Sequence, residues 1–136
     1  MELDHVRRIV EAHPDVSFIS LQPDNEEALF HLSQIAAENL SVQHDVDPLS
    51  SIDDQLDLIA GLDCVCGIDS SALHFSGVMG VPGVVMLGGL ATWQWPKRRS
   101  FYRSITTVRS SHDFQRAIEG LLASSGPDIV SSSRSR

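Results

Sequence analysis

Apolar and polar positions along the chain change period several times, and each change marks an element. Leu3, Val6, Ile9 and Val10 fall at helical spacing, with Arg7, Arg8 and Glu11 on the other side, so Leu3 to His13 reads as an amphipathic helix that Pro14-Asp15 stops. Val16 to Leu21 is short, apolar and rich in strand formers, and predicts a buried strand. Pro23 to Glu27 places a cap candidate before two acids, which suits the positive end of a helix that carries Leu29, Leu32, Ile35 and Ala36 and runs to about Asn39. Leu40 to Val42 reads as a short strand and Asp45 to Pro48 as a loop.

The second half repeats the alternation. Ser51 caps a helix whose inner face holds Leu56, Ile59 and Ala60, with Asp54 three residues on in a variant of the capping box. Cys64 to Ile68 is a strand, Ala72 to Met79 a helix that Gly80-Val81-Pro82 ends, and Gly83 to Leu87 another buried strand that Gly88-Gly89 closes. Leu90 to Ser104 has no period and reads as a loop, Ile105 to Val108 as an edge strand, and Asp113 to Ala123 as a last amphipathic helix. From Ser124 onward the chain is serine-rich and polar, which predicts a disordered tail over 124–136. Short, almost continuously apolar strands alternating with helices imply a parallel sheet covered on both faces. The expected fold is α/β, a Rossmann-like doubly wound domain over 1–123.

Composition narrows the classes of partner. The 136 residues suit one domain, and 42% hydrophobic residues suffice for a core. Eighteen acids against ten bases give a formal charge of −8, which disfavours general binding to nucleic acid or to anionic membrane surfaces. Lys97, Arg98, Arg99 and Arg103 nevertheless cluster, with Arg109 further on, and are compatible with a local anion site. The N-terminus lacks the pattern of a signal peptide, and no run approaches the ~18 apolar residues of a spanning helix, so the cytoplasm is the expected compartment. Cys64 and Cys66 are expected to be buried free thiols, because near neighbours on a strand rarely reach disulfide geometry. The histidines show no metal-ligand spacing, and no metal is expected.

The candidate chemistry follows Ile68. In an open parallel sheet, ligands bind beyond the carboxyl ends of the strands. Asp69-Ser70-Ser71 lies at such an end and at a helix start, where free amides and the dipole attract phosphate. His74, one turn on, is placed to donate to a phosphate oxygen or a ribose. The alternative at the same positions is structural: Asp69 or Ser70 caps the helix and His74 packs against the sheet. A Gly-x-Gly-x-x-Gly motif is missing, so a standard dinucleotide site is not expected.

The run from Asp54 through Leu62-Asp63, Cys64 to Ile68, Asp69-Ser70-Ser71, His74 and Gly80-Val81-Pro82 resembles the donor-site signature of GT-B glycosyltransferases. The likeness is to the ADP-heptose:lipopolysaccharide heptosyltransferase family and its tetratricopeptide-linked relatives. Phe18 to Gln22 and the Trp93-Gln94-Trp95 and Phe101-Tyr102 pair are similar to two further phrases of those relatives, so the resemblance covers about residues 5–123. It implies the donor-binding half of such an enzyme, taking a nucleoside diphosphate sugar (UDP- or ADP-linked) without a metal. Asp69, Ser70, Ser71 and His74 would then face the diphosphate and ribose, and Gly88 and Gly89 would leave room for the donor. The family's glycine-rich first strand and its acceptor half, with the catalytic base, have no counterpart here. Thr92 and Gln94 stand where relatives have Asp and Arg. The base would come from another chain or a second copy. The alternative function is a catalytically inactive relative that serves as an interaction or oligomerisation module through an exposed sheet edge.

Overall fold

The computed structural model describes residues 3–22, 26–35, 37–42, 51–88, 95 and 101–134. Helix α1 (Leu3–Ala12) buries Ile9 and Val10, and its Arg7 bonds Asp4 at 3.3 Å and the carbonyl of Gln34 at 2.8 Å. Strand β1 (Phe18–Ser20) follows, then α2 (Glu26–Ser33) and strand β2 (Leu40–Val42). The pattern predicts that α2 continues to about Asn39, but it stops at Ser33 and passes through tight turns that bury Ile35. Asn39 lies beyond these turns, and its side-chain amide donates to the carbonyls of Val10, His13 and Val16 at 3.0–3.1 Å. That latch ties the α1–β1 turn to the approach of β2.

Helix α3 (Ile52–Ala60) has the expected cap, Ser51 Oγ accepting from the amide of Asp54 at 3.2 Å. Strand β3 (Val65–Ile68), helix α4 (Ser71–Val78), strand β4 (Gly83–Met86) and strand β5 (Ile105–Val108) follow in order. Gly80 leaves α4 with φ at 74°, a left-handed conformation that suits glycine. Fully buried Ser76 fastens the same turn, donating from Oγ to the carbonyl of Val81 at 3.1 Å. Helix α5 (Ser111–Arg134) runs past Pro127 into the stretch whose composition predicts disorder. Its packing comes from Phe114, Ala117, Ile118, Leu121 and Leu122.

The strands form two small parallel sheets, ordered β1-β2 and β3-β4-β5 among the described residues. Alternation along β4 sends its side chains to opposite faces. Val84 and Met86 meet Ile9 of α1 and Phe114 and Ile118 of α5. Val85 and Leu87 meet Ile59 of α3 and Ala72 and Leu73 of α4. The three-stranded sheet is therefore covered by helices on both faces, as continuously apolar strands require, and β5 lies at one edge as expected. No described helix is long and apolar enough to cross a membrane.

Candidate functional site

β3 delivers Asp69 and Ser70 to the carboxyl end of the sheet, and α4 starts there. Ser70 is the N-cap residue, with extended backbone (φ −155°, ψ 164°), but its hydroxyl makes no cap bond. Its carbonyl takes the amides of Leu73 and His74, at 3.2 and 3.4 Å. The amides of Ser71 and Ala72 have no carbonyl one turn back to bond, as at every helix start. Asp69, Ser70 and Ser71 are all exposed. This tip presents two free hydroxyls and the positive end of a helix to solvent, so the capping alternative does not use the Ser70 side chain.

Asp69 and His74 have other partners. Trp95 Nε1 donates to Asp69 Oδ1 at 2.6 Å, and His74 Nε2 lies 3.5 Å from the same oxygen. His74 Nδ1 lies 3.0 Å from the Tyr102 hydroxyl. The imidazole sits in a tilted stack on Trp95, centroids 4.6 Å apart, with Tyr102 edge-on to it at 5.7 Å. His74 Nδ1 is hydrogen-bonded, and Nε2 faces Asp69, with which it pairs when the ring is protonated. The ring joins β3, α4, Trp95 and Tyr102 through these contacts.

Two of these four residues come from the aromatic stretch that the sequence leaves as a loop. Trp95 is only 1% exposed and belongs to the core around Ile59, Leu73 and Val85. Tyr102 lies on Gly77, where a β-carbon would overlap its ring. The Gly77 contact is invisible in spacing alone, although the glycine lies three residues after His74, on the same helical face. Trp93, Lys97, Arg98 and Arg99 lie outside the described residues, as does Gly89.

Gly88 stands at the carboxyl end of β4, exposed, with nothing within 4 Å of where a β-carbon would be. Arg109, at the end of β5, directs Nη1 toward the Gly88 carbonyl at 3.4 Å. It is exposed and brings a cation to the same end of the sheet as the α4 tip. The sequence singles it out only as an outlier of a basic cluster.

The cysteines are both free thiols. Burial, and then the charge of Asp63, pushes Cys64 up to about 11. Cys66 is pushed up to about 12 by the surrounding protein and then by Cys64, yet its surface is open. The expectation of a buried thiol fails for Cys66, whose residue is exposed. Comparisons with protein-family models, with curated proteins and with solved structures gave no match.

Proposed function

We propose that this chain is a nucleotide-sugar-binding domain of Rossmann-like, doubly wound design, the donor half of a metal-independent glycosyl transfer system. The observation that carries the reading is the Ser70-Ser71 tip, exposed at the carboxyl end of β3 with the Ser70 hydroxyl uncommitted. A diphosphate fits such a tip because amides, hydroxyls and the helix dipole all favour negative charge. Arg109 supplies the cation that the tip itself lacks, and the open space at Gly88 leaves room for the rest of the donor. Glycosyl transfer without a metal needs its leaving diphosphate stabilised, and this is the part of the work these groups are suited to.

Asp69 and His74 act one layer behind. Their bonds to Trp95 and Tyr102 hold the tip in position, so neither needs to touch phosphate. The general base for the acceptor is supplied by another polypeptide. Free thiols suit a reducing compartment, and the cytoplasm is the setting in which we place this activity.

Isothermal titration with UDP and ADP tests the reading. Binding is expected for at least one of them, weakened about tenfold or more in Ser70→Ala/Ser71→Ala and in Arg109→Ala, since each removes contacts to a charged group. Absence of binding by either nucleotide at millimolar concentration overturns it.

A further inference from the structure

Cys64 and Cys66 stand apart from the α4 tip and the contacts behind it. Side chains alternate along a strand, so residues two apart share a face. Val65 and Gly67 take the α4 side of β3: Val65 belongs to the cluster of Ala72 and Leu73, and a β-carbon on Gly67 would lie 3.6 Å from Leu73. Cys66 takes the other side, in register with Val84, which packs with Ile9 and Phe114. Cys64 comes to that same side, near enough for its charge to push the Cys66 thiol up. Both are free thiols, and Cys66 is exposed, so the pair opens to solvent.

Spacing decides what such a pair suits. At a rise of about 3.3 Å per residue, the two β-carbons are about 6.6 Å apart. A disulfide asks for about 4 Å between them, so the thiols do not close on each other without bending the strand. Two thiolate–metal bonds of about 2.3 Å, laid end to end, span about 4.6 Å. Each sulfur then leans inward by only about 1 Å, which a rotamer change supplies. Sulfur is a soft donor and selects cuprous ion over magnesium or calcium, and the neighbouring Val84 and Ile68 side chains offer a hard ion no oxygen. Zinc also takes thiolates, but its structural sites close with four ligands. Among the described residues no third His, Cys, Asp or Glu joins the pair in a group able to share an ion. Asp63, whose charge reaches Cys64, is not part of such a group. The ion that fits is therefore a soft one that accepts two ligands.

We propose that Cys64 and Cys66 form a two-thiolate site for a single cuprous ion. The ion takes one bond from each sulfur, the two thiol protons pass to solvent, and no electron moves. Its charge offsets one of the two that the sulfurs acquire. Entry is from the side of the exposed Cys66. The site lies on the face of β3 opposite α4, and it stands or falls independently of nucleotide binding and of the metal-independent transfer proposed above.

Anaerobic titration of the reduced, unaltered chain with cuprous ion, against bicinchoninate as competing chelator, tests this. One ion per chain is expected, with X-ray absorption showing two sulfur neighbours at the copper. Cys64→Ser and Cys66→Ser are each expected to weaken uptake by about a hundredfold or more, since loss of a mere partner behind a ligand already costs about 10–100-fold. Zinc is expected to bind at least about a hundredfold more weakly than copper. The absorption spectrum of the unaltered chain decides the matter should a serine variant fail to fold. Uptake kept by either folded serine variant, copper held by nitrogen or by three or more ligands, or zinc bound as tightly as copper would each overturn the proposal. So would copper lost wholly to the chelator, which marks an adventitious ion only.

Discussion

Trp95 donates its indole N–H to Asp69 Oδ1 at 2.6 Å, pinning the last residue before the α4 tip to a side chain that is itself part of the core. A hydrogen bond to a carboxylate contributes about 1.5–3 kcal/mol, more than a neutral one. Trp95→Phe keeps an aromatic ring and removes the donor. It is expected to lower stability by at least that amount in urea unfolding, the lost ring volume adding to it. Asp69→Asn separates the two effects. If the bond is what matters, the double variant loses clearly less than the sum of the singles, by more than ~0.5 kcal/mol. Additive losses would mean that Trp95 contributes bulk alone.

Gly77 sets a contest between helix propensity and packing. Alanine in place of a helical glycine stabilises by about 0.8–1 kcal/mol where nothing else intervenes. Here the new methyl would overlap the Tyr102 ring, and forcing a side chain out of a packed site costs about 1–3 kcal/mol. Displacing Tyr102 also breaks its 3.0 Å bond to His74. Gly77→Ala is therefore expected to lower the melting temperature, and the same change in a Tyr102→Ala background to be neutral or stabilising. A rise in melting temperature in the wild-type background would show that Tyr102 does not rest on Gly77.

These two contacts also mark the boundary of what sequence reading reaches. Period and capping rules locate α1, α3, α4 and β2 to within a residue or two, because those elements are set by local pattern: Ser51 bonds the amide of Asp54 as its spacing predicts. The Ser70-Ser71 tip is legible for the same reason, a strand followed at once by a helix start. What pattern does not carry is pairing across distance. His74 meets Tyr102 over 28 residues and Trp95 meets Asp69 over 26, and no periodicity in the intervening stretch relates them. The same lack of information leaves the Tyr102 and Asp69 neighbours of His74 out of reach of the sequence. The exposure of Cys66 is likewise not determined by the apolar character of its strand.

Asn39 is the other long-range element, and it lies outside the helix that the pattern would extend to it. Its amide shares two hydrogens among the carbonyls of Val10, His13 and Val16 at the turn between α1 and β1, the first two of which also accept backbone amides. The carbonyls of Val10 and His13 also accept from the amides of His13 and Val16, so removing the donor leaves chiefly the Val16 carbonyl unpaired, at about 1–3 kcal/mol. Asn39→Ala is thus expected to lose about 1–3 kcal/mol in urea unfolding near neutral pH. Asn39→Asp is close in shape but turns a donor into an acceptor facing acceptors, and should lose more. The sign of its pH dependence follows. Repulsion from three carbonyls raises the folded-state pKa of the introduced carboxyl above its unfolded value of about 3.9, so the unfolded state binds fewer protons than the folded state between the two values. The deficit of the Asp variant relative to wild type is then largest above the folded value and shrinks as pH falls through it, because the protonated acid can donate one hydrogen to the same carbonyls. The Ala variant has no such group and its deficit stays flat. Unfolding curves for the three proteins at pH 7 and near pH 4 distinguish these cases, and parallel behaviour of the Asp and Ala variants would remove Asn39 from its role as the donor at this turn.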